Sequence, residues 1–228
     1  MLAIEAHNVV KRFGDFTALK SLTLAIKKGQ FVAITGKSGS GKSTLFYSLS
    51  GLDVIDSGNV TVLGSNIHSL TEEELHDFRN TKMGFVFQFH YLVSELTGLE
   101  NILLPAKKKN LHKEKYDYAL YLLDYFAIAH CKNKLPSQMS GGERQRVAVA
   151  RSLIMSPDII FADEPTGNLD SINSEIVMNI FREINKKNGT TIILITHDDE
   201  YAHLADREIR LKDGEIESDI SHNRRGKL

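Results

Sequence analysis

Gly36-Lys37-Ser38-Gly39-Ser40-Gly41-Lys42-Ser43-Thr44 is the stretch on which the fold turns. It satisfies the pattern G-x-x-x-x-G-K-[ST], and its setting suits that pattern. The apolar run Phe31–Thr35 precedes it and a helical pattern over Ser43–Leu49 follows, giving strand, glycine-rich loop and helix. Gly36, Gly39 and Gly41 let backbone N–H groups turn toward an anion, and the helix behind them points its positive end the same way. Lys42 can reach the outer phosphates, where it would stabilise charge during catalysis. The Ser43 hydroxyl can coordinate Mg²⁺. All nine positions, 36–44, are therefore expected to hold a nucleoside triphosphate.

A carboxylate pair complements this loop. Ile159-Ile160-Phe161-Ala162-Asp163-Glu164 is an apolar strand ending in two acids. Successive side chains of a strand point to opposite faces, so the two carboxylates can do different work. Asp163 is placed to hold Mg²⁺ together with Ser43, and Glu164 to orient or deprotonate an attacking water. His197 closes another apolar run, Thr190–Thr196, where it could contact a γ-phosphate. Its six-residue spacing from His203 does not put both on one helix face, which argues against a metal pair there.

Composition bounds the rest. The 228 residues are 42% hydrophobic and 25% charged, the profile of a globular chain with a sizeable core. A net charge of −1 gives no field that would draw nucleic acid, so none is expected as partner. The one cysteine, Cys131, excludes an intrachain disulfide framework and reads as an inert thiol. No apolar stretch approaches the ~20 residues of a membrane helix, and the first residues do not read as a signal peptide. Work at a membrane would then need a partner.

Strand patterns occupy Leu2–Val10, Leu22–Ile26, Phe31–Thr35, Asn59–Leu63, Gly84–Gln88, Ile159–Asp163, Thr190–Thr196 and Glu208–Leu211. The runs feeding the polar motifs read as buried parallel strands, the early and late ones as antiparallel. Lys212-Asp213-Gly214-Glu215 reads as a hairpin turn. Helical patterns cover Ser43–Leu49, Glu72–Asn80, Lys113–Phe126, Gly142–Met155, Ile172–Lys187 and Asp199–Ala205. Tyr116, Leu120, Leu123 and Phe126 form a core stripe at helical spacing. Lys107-Lys108-Lys109 reads as a solvated loop, and Ser221–Leu228 as a frayed tail.

Two nucleotide families are disfavoured by what is missing. Asn185-Lys186-Lys187-Asn188 lacks the acid of a guanine-reading motif, and no arginine-rich kinase lid is evident. Instead, Ser140-Gly141-Gly142-Glu143-Arg144-Gln145-Arg146 opens a strong helix and forms a second anion-binding start. One nucleotide cannot easily use both loops of one chain. Two chains facing head to tail can each lend one loop to each nucleotide.

With these residues in view, the chain resembles an ABC-type ATPase over nearly its whole length. Ser140–Glu143 is similar to the family's Ser-Gly-Gly-Gln signature, with Glu143 replacing the usual glutamine and Met139 the usual leucine. The resemblance implies an α/β fold: a RecA-like parallel core with an antiparallel β subdomain, residues 1–228 forming a single nucleotide-binding domain. A helical subdomain at about 89–138 would be inserted in that core. It implies further that Phe13 stacks on adenine, with Phe16 as competitor. Gln88 then touches Mg²⁺ and links it to a transport partner. Asp170, in Asn168-Leu169-Asp170, lies on the loop that crosses a homodimer interface, and Ser140, Gly141 and Gly142 meet the partner chain's ATP. Glu164, His197 and Lys42 would be the catalytic set.

Glu164-Pro165-Thr166-Gly167-Asn168-Leu169-Asp170 narrows the resemblance to a subgroup that drives membrane partners without pumping substrate through a pore. Gly84–Pro105, with Phe87-Gln88-Phe89-His90-Tyr91-Leu92 and Leu99-Glu100-Asn101-Ile102, looks most like its lipoprotein-releasing branch. Drug- or peptide-exporting and cell-division branches share the chemistry. That implies integral membrane permease subunits contacted near Gln88–Leu92, and a place at the cytoplasmic face of a bacterial inner membrane. A soluble ATP-switched interaction protein and a small-molecule phosphotransferase are the competing readings.

Overall fold

The computed structural model describes residues 1–222. A hairpin of two long strands, β1 (Leu2–Phe13) and β2 (Phe16–Lys27), opens the chain, followed by β3 (Phe31–Thr35) and α1 (Lys42–Ser50). Next come β4 (Ser57–Val62), β5 (Ser65–Asn66), α2 (Glu72–Lys82) and β6 (Met83–Phe87). A helical stretch carries α3 (Gly98–Lys108), α4 (Tyr116–Tyr125) and short 3-10 turns at Ala129–Cys131 and Pro136–Gln138. Then follow α5 (Gly141–Leu153), β7 (Ile159–Asp163), α6 (Ser171–Asn188), β8 (Thr191–Ile195), α7 (Asp199–Ala202), β9 (Arg207–Lys212) and β10 (Glu215–Ser221).

The strands form two sheets. One is antiparallel, ordered β2-β1-β4-β5, and the other is ordered β10-β9-β3-β8-β7-β6. In the second, β9, β3, β8, β7 and β6 run parallel and only β10 is antiparallel. Its central strands β3 and β8 are buried at every position, and β7 at all but Asp163, because both faces are covered. Phe31, Ala33, Ile160, Ala162, Ile192 and Leu194 join the core under α3–α6. Their alternates, Val32, Ile34, Ile159, Phe161, Ile193 and Ile195, join the core shared with α1 and the antiparallel sheet. A strand period of 2 thus feeds two cores from one sheet, and the site sits where the parallel strands end.

Several expectations need correction. β9 pairs parallel with β3 and antiparallel only with β10, so the late strands are not purely antiparallel. The turn between them is as read: Asp213 and Gly214 have φ of 49° and 82°, as a tight I′-type hairpin requires. Lys107 and Lys108 lie in the last turn of α3, where cations complement the helix dipole, not in a loop. Helix α4 starts at Tyr116 and not Lys113, and Tyr116 is exposed beneath the Lys132 ammonium rather than in the core. Leu123 and Phe126 are buried there, together with Ala119 and Leu122. Ser221 ends β10, and residues 223–228 of the expected tail lie outside the described residues. Cys131 is a buried thiol. Among the described residues no helix is long and apolar enough to cross a membrane.

Candidate nucleotide site

The phosphate loop leaves β3 at Thr35 and enters α1 at Lys42. Two glycines in it are sterically obligatory. A Cβ on Gly36 (φ 137°) would lie 2.3 Å from the Leu211 carbonyl oxygen, and one on Gly41 (φ 102°) 2.8 Å from that of Ala18. Helix α1 has no side-chain cap and no acid in its first turn. By contrast, α2, α3, α5 and α6 are capped by Thr71, Thr97, Ser140 and Asp170. The amides at the start of α1 are thus left open to an external anion. Lys42 Nζ donates to the carbonyls of Gly36 (2.8 Å) and Lys37 (3.0 Å), which holds the ammonium across the loop.

This loop floors a cavity of about 1030 Å³. Residues 36–44 line it, joined by Phe13 and Phe16 from the first hairpin, by Glu164 and His197, and by Arg210 and Lys212 from β9. Phe13 and Phe16 are 54% and 61% exposed, so both rings present a face on which a base can stack. The Lys11 ammonium lies 5.1 Å from the Phe13 ring centre. At the far wall His197 Nδ1 stands 2.8 Å from Glu164 Oε2. Glu164 itself holds a left-handed backbone, φ 46°, fixed by its own N–H donating to Ile195 O and its carbonyl accepting from Gly167 N.

Asp163 lies just behind this wall, largely buried. Burial first, then the Glu164 charge, push its carboxyl up to about 6, against the pull of Lys42. A buried acid held up by a like charge is an environment that a divalent cation relieves. Ser43 hydroxyl, Asp163 carboxylate and Gln88 amide are hard oxygen donors of the kind Mg²⁺ takes, so the residues present fit that ion.

The remaining expected residues are not in this cavity. Ser140 caps α5 in a reciprocal box: Glu143 N donates to its hydroxyl, and Ser140 N donates to Glu143 Oε2 at 2.6 Å. His130 bonds the other Glu143 oxygen, and hydrogen bonds from His130 and the Ser140 backbone bring that carboxyl down to about 2. Gly142 permits close packing of α5 on α6, since a Cβ there would sit 2.2 Å from Asn173 Oδ1. Asp170 is exposed and caps α6, accepting from Asn173 N at 2.8 Å, while Arg146 donates to Asn173 Oδ1 at 2.9 Å. The start of α5, with Ser140, Gly141 and Gly142, and the start of α6, with Asp170, are thus one bonded unit that does not line the chain's own cavity.

Gln88 Nε2 donates to Asn168 Oδ1 (3.4 Å), and Asn168 Nδ2 donates back to the Gln88 carbonyl (3.2 Å). Buried Gln145, on α5, reaches the Phe87 carbonyl beside it at 3.4 Å. Of the patch that follows, Phe89 and Tyr91 are exposed, whereas His90 is half-buried and Leu92 packs against the core. Arg151 pins the segment by donating to the His90 and Tyr91 carbonyls.

Sequence reasoning missed Asn168, Gln145 and Asn173 as connectors, and Arg210 and Lys212 as cavity lining. For the last two a signal existed: they alternate with buried Ile209 and Leu211 along a strand. For the connectors there was none, because each acts between segments far apart in sequence.

The family model described as ABC transporter matches residues 19–167. The lipoprotein-releasing system ATP-binding protein LolD of Leptospira interrogans is 48% identical over 215 residues, 94% of this chain and 91% of that protein. The LolD of Aquifex aeolicus is 46% identical, covering 96% and 97%. The macrolide export ATP-binding/permease protein MacB of Rhodopirellula baltica is 42% identical over 90% of this chain but 31% of its own length. Among solved structures, dimeric MJ0796, a bacterial ABC transporter cassette, matches with a TM-score of 0.87 and 39% identity over 96% of this chain and 98% of that one. A post-hydrolysis dimer of MJ0796 bound to ADP and Pi matches with the same TM-score, at 38% identity and the same coverage. Phosphate loop, paired acids and cavity agree with these likenesses, and the chain belongs to the ABC transporter ATPase family.

Proposed function

We propose that this ATPase is the motor subunit of a lipoprotein-releasing complex. It sits on the cytoplasmic face of a bacterial inner membrane and is held there by permease subunits. The observation that carries the catalytic part is the shared cavity: phosphate loop, Glu164 and His197 face one space, with the two side chains 2.8 Å apart. The cargo reading draws its support from relatives of matching length that are named for lipoprotein release.

ATP stacks its base on Phe13 or Phe16 and lays its phosphates along residues 36–44, with Lys42 at the outer ones. Ser43, Asp163 and Gln88 would hold Mg²⁺, which supplies charge neutralisation between the phosphates when bound. Glu164 orients water for in-line attack and accepts its proton; His197, bonded to it, fixes the carboxylate and faces the γ-phosphate side. Residues 1–228 act as one nucleotide-binding domain, its helical part at about 89–138 carrying the partner contact.

Ser140–Gly142 and Asp170 lie outside the chain's own cavity, which supports a head-to-tail homodimer in which each chain completes the other's site. Nucleotide that touches both chains only when closed stabilises the closed dimer by mass action. Phe89 and Tyr91, exposed next to a cavity of about 350 Å³ lined by Phe85, Phe87, Pro105 and Arg151, support permease contact there.

The test is a pull-down of tagged Glu164→Gln protein with ATP from detergent-solubilised native membranes. A lipoprotein-releasing permease pair is the expected catch. A macrolide-exporting or cell-division permease would keep the chemistry and discard the cargo. No membrane protein at all, with ATP binding intact, would make this a soluble switch.

A further inference from the structure

The structure assigns a second ion site, outside the nucleotide cavity, to His203, Glu208 and His222: we propose that they bind a divalent transition-metal ion such as Zn²⁺. Glu208 sits on β9, beside β3, and is 7% exposed, so its charge needs compensation inside the protein. Its two oxygens are sorted. Oε1 accepts from the Thr35 hydroxyl at 2.8 Å and lies 3.5 Å from Arg210 Nη2. Oε2 faces two imidazoles instead, with His203 Nδ1 at 4.0 Å and His222 Nε2 at 3.9 Å. Those distances are too long for hydrogen bonds.

They suit an ion between the atoms. Two ligands each about 2.0–2.2 Å from one Zn²⁺ stand about 3.4 Å apart at a tetrahedral angle and up to about 4.3 Å when opened. The three donor atoms all lie within 4.8 Å of one another. An independent observation points the same way: His222 Nε2 is shielded from solvent and has no hydrogen-bond partner. That is a costly place for a lone pair or an N–H, and an ordinary one for a metal ligand. Thr35 supplies the second shell, fixing the carboxylate that would bind. Two imidazoles and one carboxylate leave a fourth position to water, and the donor set favours Zn²⁺, Co²⁺ or Ni²⁺ over Mg²⁺.

The three ligands come from three places. His203 closes α7, Glu208 is on β9 and His222 directly follows β10. Thr35 is the residue before Gly36. An ion here would fasten α7 and the last strand to the strand that launches the phosphate loop.

The test titrates Co²⁺ into nucleotide-free full-length protein and follows visible d–d absorption, with thermal melting in Zn²⁺ alongside. One Co²⁺ per chain with d–d bands, and a Zn²⁺-dependent rise in melting temperature, are expected. His203→Ala and His222→Ala should each weaken Co²⁺ at least tenfold and abolish the thermal shift. His203 is largely exposed, so its substitution should leave the fold intact, and retained ATP binding checks this. Glu208→Gln, which keeps an acceptor for Thr35, should weaken the ion similarly. No stoichiometric binding by the parent protein would overturn the proposal. So would unchanged affinity in both histidine variants. A thiolate charge-transfer band lost in Cys131→Ser would place the ion at the His130–Cys131–Glu143 cluster and also overturn it.

Discussion

Glu164 holds a backbone conformation that costs a non-glycine residue about 1–3 kcal/mol, and it does so directly after the C-terminal end of β7. Its carboxylate lies against His197 and lines the same cavity as the phosphate loop. Glu164→Gln should therefore leave ATP affinity unchanged and lower turnover by about 10²–10⁴-fold, read as phosphate release. Asp163, one residue earlier, gives a pH signature. Its folded carboxyl is raised to about 6, mainly by burial, while the unfolded chain titrates near about 4. Between those values the folded state keeps a proton that the unfolded state has lost, so stability falls as pH rises through the window. Asp163→Asn should remove that slope and make nucleotide-free protein more stable at pH 7 than the parent. Denaturant midpoints of both proteins at a pH near 4 and at pH 7 check this.

At the scale of elements, α3 shows how one side chain can organise a turn. Asn101 is fully buried; its amide donates to the carbonyls of Val93, Leu96 and Thr97, and its oxygen accepts from Val93 N. Asn101→Ala strands these groups and should destabilise the protein by about 3 kcal/mol in urea unfolding. The sequence put Asn101 in a run suggestive of partner contact, and nothing in local pattern marked it as buried. Where an element is defined by its own residues, the reading was sound: the apolar runs at 31–35 and 159–163 became strands with the boundaries expected of them. The phosphate loop, too, is local chemistry between two such elements. What pattern could not convey was pairing. The alternating run Glu208–Leu211 reads as antiparallel, yet β9 pairs parallel with β3 on one edge and antiparallel with β10 on the other. Nor could it reveal that Ser140 and Asp170, starting different helices, are tied through Arg146 and Asn173.

For the whole molecule, that tied unit lies outside the lining of the chain's own cavity, and the proposed head-to-tail dimer makes the reaction a property of two chains. Glu164→Gln protein with ATP should sediment as a dimer in a concentration-dependent way and as a monomer without nucleotide. Ser140→Arg in the same background should abolish the dimer while each chain still binds ATP. The paired hydrogen bonds between Gln88 and Asn168 then have a consequence beyond catalysis. They join the segment beside the exposed Phe89 and Tyr91 to the loop that leads from Glu164 to Asp170. Coupling between two binding equilibria is reciprocal: whatever factor ATP imposes on affinity for the membrane subunits, those subunits impose on affinity for ATP. The link that carries a stroke outward therefore also carries the load back, and a stalled membrane subunit would be felt at the nucleotide as altered affinity before any phosphate bond is broken.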